Sequence, residues 1–155
     1  MKFRNGIALV AAALTLAACD TLYGVSRSAD LTAPLEQACV RRVVETTPGV
    51  AAVDYRESHS GKGLFHPTPW SYAYSYRGKA GSKVAGTLTI TTEYDGRSQF
   101  RDTLWQINAK PPQEAVDATR PVMRRIEAAL AQRCGLRPAA IPETCRGVAC
   151  PTLSE

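Results

Sequence analysis

The chain has 155 residues, 19 basic and 14 acidic, a net charge of +5 and a 45% hydrophobic content. The length fits one domain large enough for a single core. Setting aside the first 18 residues leaves 17 basic against 14 acidic, and no Lys/Arg cluster alternates with aromatics, so no nucleic-acid partner is expected.

Lys2 and Arg4 precede an apolar run from Ile7 to Leu16, too short to span a bilayer and laid out like a secretory leader. The run closes on Leu16-Ala17-Ala18-Cys19, which resembles the lipobox of bacterial lipoproteins. The resemblance implies removal of residues 1–18 and lipidation of Cys19 as the new N-terminus. Two or three acyl chains, at about 0.8 kcal/mol per buried methylene, would hold the mature protein on a membrane. It would face the periplasm, and Asp20, by the enterobacterial sorting pattern, tilts the choice toward the inner membrane and leaves the outer one open. No second run of apolar residues is long enough for a transmembrane helix.

Residues 19–29, with Gly24, Ser26 and Ser28, read as a lipidated N-terminus and flexible tether, and residues 30–135 as the folded domain. Leu31, Leu35, Cys39 and Val43 recur at helical spacing. Asp30 or Thr32 is placed to cap that helix, Pro34 suits its first turn, and Pro48-Gly49 ends it. The period then changes to two. Val53 and Tyr55 mark one strand, and a loop rich in Gly, Ser, His and Pro runs from Ser58 to Pro69. Trp70, Tyr72, Tyr74 and Tyr76 line one face of a second strand, and Val84, Leu88, Ile90 and Tyr94 line one face of a third, backed by Thr87, Thr89 and Thr91. Asp95-Gly96 predicts a tight hairpin that sets Trp105 and Ile107 beside Leu88 and Val84, and turns Phe100 and Leu104 to the opposite, solvated face with Asp102. After Pro111-Pro112 a second helical pattern runs through Val116, Val122, Met123, Ile126 and Leu130, and Cys134-Gly135 ends it. Pro121 predicts a kink, or a break with Thr119 capping the longer part. Residues 136–155 read as an irregular tail.

The predicted fold is α+β, a two-layer sandwich of helix, four-stranded antiparallel meander and helix, with both helices on one sheet face. Four cysteines remain beside Cys19, an even number in a compartment where disulfides persist. Of three possible pairings, Cys39 with Cys134 and Cys145 with Cys150 fit best, because the first two fall on the helices and the last two close a short loop. A four-cysteine metal site would need C-x2-C pairs, which are absent, so neither metal nor cofactor is expected.

His59 and His66, with Glu57, Ser58 and Ser60 nearby, are the one place where a small envelope enzyme could find acid–base or metal chemistry. They lack ligand spacing, and loop exposure explains them as well. Gly61-Lys62-Gly63 lacks the context of a phosphate loop. The aromatic row would suit a sugar- or peptide-binding surface but reads better as core, and Phe100 and Leu104 become the candidate partner surface on an otherwise Thr-rich face. Arg124-Arg125 is a basic pair suited to an anionic surface or to solvent.

Beyond the lipobox, the stretch from Ala38-Cys39-Val40 through Thr119-Arg120-Pro121-Val122-Met123 and Ile126-Glu127 to Cys134-Gly135 resembles small proteobacterial lipoproteins without assigned activity. The element order, with Leu22-Tyr23-Gly24 after the anchor, also resembles the lipopolysaccharide-assembly lipoproteins that plug an outer-membrane translocon. The function expected is that of a non-enzymatic, lipid-anchored envelope protein that binds an envelope protein or cell-wall polymer. A lipopolysaccharide- or outer-membrane-assembly role and a small enzyme using His59 or His66 are the alternatives.

Overall fold

Among the described residues the first strand pairing is at residue 22 of the computed structural model, which describes residues 21–59, 70–78, 82, 84–92, 95, 97–137 and 141–150, the side chains of Ser58, His59 and Trp70 excepted. The elements are β1 (Leu22–Leu31), α1 (Gln37–Thr46), β2 (Ala52–His59), β3 (Trp70–Arg77), β4 (Ala85–Thr92), β5 (Ser98–Ile107), α2 (Gln113–Arg133) and β6 (Glu143–Arg146). The strands form one antiparallel sheet ordered β2-β3-β4-β5-β1-β6. The helices contact each other and lie on one face of this sheet, α1 over β2 and β3, α2 over β4 and β5. The α+β class therefore stands, and β2 to β5 are neighbours in sequence order, but the sheet has six strands instead of four.

The two added strands come from segments the sequence reading left irregular. Residues 22–31, expected as tether and helix cap, pair with β5 along their whole length. Val25 and Arg27 face the helices and are buried. A charged residue in that inward position, with Gly and Ser between, hides the period-two signal. Helix α1 consequently starts later than Asp30, with Glu36 at its N-cap and Pro34 ahead of it. In the expected irregular tail, Leu136 and Ile141 are buried and Glu143–Arg146 forms β6 against β1.

The β4–β5 connection decides which face of β5 is inside. Thr92 pairs with Ser98, so five residues, 93–97, intervene rather than a two-residue turn. An odd count slips the register by one and turns every side chain over. Leu88 thus lies opposite Asp102 and Ile90 opposite Phe100. Phe100, Asp102 and Leu104 point into the helix layer, whereas Ile107 is 58% exposed on the other face. Tyr72, Tyr74 and Tyr76 are core as expected. Burial raises the Tyr74 phenol to about 12 and pushes the Tyr72 phenol up as well, so both stay protonated and donate, Tyr72 to the Leu35 carbonyl at 2.7 Å and Tyr74 to that of Gln37 at 3.3 Å. These bonds fix the entry to α1 over the aromatic row.

Helix α2 runs unbroken through Pro121, which sits exposed on its outer side. Thr119 lies inside the helix and donates to the Ala115 carbonyl at 2.8 Å instead of capping. Its C-terminus closes through Gly135 at φ +74° and a return bond from the Leu136 amide to the Leu130 carbonyl. Cys39 near the start of α1 is bonded to Cys134 at the end of α2, Cα–Cα 5.8 Å, and Cys145 is bonded to Cys150, 5.7 Å. No helix among the described residues is long and apolar enough to cross a membrane.

Candidate functional site

Phe100 and Leu104, proposed from sequence as a partner surface, have no solvent exposure and are removed from that role. The physical reason is the register slip at the preceding turn. Cys19 and His66 lie outside the described residues. His59 ends β2 with its backbone opposite Trp70, and its side chain is also outside the description.

The chemically richest place is one the sequence reading missed, a buried charge cluster between α2 and the β5-β1-β6 side of the sheet. Antiparallel pairing sets Asp102 opposite Arg27 and Arg27 opposite Glu143. Arg27 donates through Nε to Glu127 Oε1 at 2.6 Å and reaches Glu143 Oε2 at 3.4 Å. Glu143 also takes Arg124 at 2.7 Å and Arg120 at 3.2 Å, and Arg120 turns a second nitrogen to Asp117 at 2.7 Å. Three guanidiniums thus meet the three carboxylates of Asp117, Glu127 and Glu143, and among the described residues none is paired with Asp102, on which Arg27 exerts only a weaker attraction from the neighbouring strand.

Burial, reinforced by the nearby Glu127, holds the Asp102 carboxyl well above the ordinary carboxylate range. Tyr76 places its hydroxyl 3.0 and 3.2 Å from the two Asp102 oxygens. Space for that ring comes from Gly86 on the neighbouring strand, where a Cβ would lie 2.1 Å from Tyr76 Cζ. Perturbed carboxyls often mark catalytic sites, but Asp102 has no exposed surface through which to meet a substrate. The cluster joins the first and last strands of the domain to α2. A sequence signal for it existed in Arg27, flanked by small residues, and in Glu127 on an apolar helical stripe.

Metal-ligand spacing occurs at Glu143, Cys145 and Cys150. Those sulfurs are joined as a disulfide and the carboxylate is taken by arginines, so the group does not fit a cation.

The helix layer carries a groove where α1 meets α2. A 290 Å³ cavity lies beside the Cys39–Cys134 bridge, lined by Glu36, Ala38, Cys39, Arg42, Val43 and Arg133. A 200 Å³ cavity continues it past Arg133 to Arg125, Ala129 and Thr47. Both fall at or below the roughly 300–1,000 Å³ of small-molecule sites. Arg125 is held by its bond to the Pro48 carbonyl at 2.9 Å. Arg42 and Arg133 are exposed and carry no ion pair among the described residues.

Neither protein-family models, nor curated proteins, nor solved structures show a match to this chain.

Proposed function

We propose that this chain is a lipid-anchored, non-enzymatic protein of the bacterial cell envelope that docks an acidic segment of a periplasmic protein in the α1–α2 groove. The observation that carries the docking is the Arg42–Arg133 pair flanking the 290 Å³ cavity, with Arg125 along the adjoining one and Glu36 as a single counter-charge in the lining. An arginine-rimmed depression with an apolar floor favours carboxylate-bearing side chains. The disulfide at its edge ties the two helices together there, so the groove is preorganised. The lipobox at Cys19 supports the anchor, and the two disulfides agree with an oxidising compartment.

A photo-crosslinking residue in place of Ala38, on the rim of the groove, tests this in intact cells. The expected result is a discrete adduct with a protein whose crosslinked peptide is acidic, reduced about tenfold by Arg42→Glu with Arg133→Glu. Adducts formed only from a control position at Thr89, on the opposite sheet face, would reject the groove. Cys19→Ala tests the anchor separately and should abolish acyl labelling and release the protein from membranes.

A further inference from the structure

Large exposed apolar side chains are concentrated at one point of the described surface. Leu22 is 38% and Ile107 58% exposed, and the two are directly opposite one another on β1 and β5. Half-buried Trp105 lies two residues along the same face of β5. The pair sits where the chain enters the fold. Thr21 and Asn108 exchange two hydrogen bonds of 2.8 Å, from the Thr21 amide to Asn108 Oδ1 and from the Asn108 amide to the Thr21 carbonyl. Asn108 adopts φ +56°, a left-handed conformation that Asn tolerates, in making this clamp. Ordered structure therefore reaches to within two residues of Cys19.

We propose that this end of the sheet rests in the headgroup layer of the membrane that holds Cys19, with the side chains of Leu22 and Ile107 directed into the interface. The inference rests on the lipid-anchor reading and adds to it the face presented to the lipid. Two extended residues span about 7 Å at most. The polar layer on each side of a bilayer is about 5–8 Å thick, so a chain pinned at Thr21 keeps the sheet end within about one such thickness of the lipid. Trp105 beside the apolar pair, and exposed Lys110 in the loop that follows β5, are residue types that settle at that boundary. Tyr23 lies at the same end, since a Cβ on Gly147 would meet both Tyr23, at 2.5 Å, and the Lys110 stem, at 3.4 Å. Strands of this length then carry the opposite end, where Leu31 pairs with Ser98, about 30 Å away into the periplasm. The Cys39–Cys134 bridge is at that far end, because α1 starts after β1 leaves it and α2 runs back toward it.

The test places an environment-sensitive dansyl amino acid at position 107, or at position 97 beyond the far end of β5. The acylated mature protein is reconstituted in phosphatidylethanolamine–phosphatidylglycerol vesicles containing brominated lipid. The expected result is blue-shifted emission at 107, quenched at least twofold more than at 97, and loss of that difference in a Leu22→Ser variant that still sediments with the vesicles. Emission at 107 equal to that of the unanchored protein would overturn the proposal, as would a blue shift that appears in detergent-free solution with dimer formation. Absence of acyl label on the native chain would instead reject the anchor. The sheet-end proposal is then read on protein coupled through Cys19 to a maleimide phospholipid, with the same two outcomes.

Discussion

Arg27 and Glu127, 100 residues apart in the chain, meet at 2.6 Å with side chains only 7% and 9% exposed. The pair ties β1, which enters the sheet beside β5, to the middle of α2. Its neighbours Glu143, Arg120 and Arg124 extend the tie to β6. Removing Arg27 strips Glu127 of its close partner in a place almost closed to solvent and leaves it only Arg124, at 4.0 Å. Arg27→Ala should therefore destabilise the domain by about 3–5 kcal/mol, measured by denaturant unfolding, whereas a surface pair such as Arg41 with Glu45 should contribute below about 1 kcal/mol.

Asp102 gives the stability a pH dependence of defined sign. Its folded-state pKa is raised by burial above the ordinary 3.8, so the unfolded chain releases the proton first as pH rises. The stabilising contribution is fully present below about pH 4 and is lost progressively as the pH climbs toward the raised folded value. Glu127 is shifted in the same direction, chiefly by burial. Asp102→Asn should flatten the decline in midpoint denaturant concentration between pH 4 and 8 without abolishing it, because Glu127 remains. A wild-type midpoint that rises across this range would contradict the assignment.

Gly86 and Tyr76 oppose each other across β3 and β4, and the ring occupies the place of the missing side chain. Gly86→Ala must push the ring off Asp102 and should cost about 1–3 kcal/mol by overpacking. Tyr76→Phe should cost a similar amount for a different reason, since it leaves a buried carboxyl short of a hydrogen-bond partner. Thermal unfolding of the single and double variants should show clear non-additivity.

Leu104→Ala should destabilise by about 2–5 kcal/mol, as a core residue without exposure does. Ile107→Ser, three residues on but on the opposite face, should change thermal stability by less than about 0.5 kcal/mol.

The two disulfides should differ in weight. Cys39–Cys134 closes a loop of 95 residues and on the chain-entropy model contributes about 4–5 kcal/mol, while Cys145–Cys150, closing 5, contributes about 2. Paired Cys→Ala substitutions, compared by chemical denaturation, should reproduce that order.

Periodicity in the sequence by itself determined that two helical segments form, where the strands around Tyr55, Tyr74 and Leu88 lie and that the tyrosine row is buried, and it favoured, among three possibilities, the cysteine pairings that are found. These rest on local alternation or on stripes that must meet a common core. Tertiary structure alone decided the rest. The facing of Phe100 and Leu104 turned on whether the loop before them held an odd or even number of residues, a parity that Asp95-Gly96 suggested wrongly. Strands β1 and β6 have weak intrinsic patterns and form because each finds an already ordered edge to pair with, β1 on β5 and β6 on β1. The burial of Arg27 and Asp102 is likewise invisible to a reading that places charges outside, since what makes it tolerable is a set of partners up to 116 residues away along the chain. Pairing partners and counter-charges come from distant chain segments, and no local pattern encodes where those segments will lie.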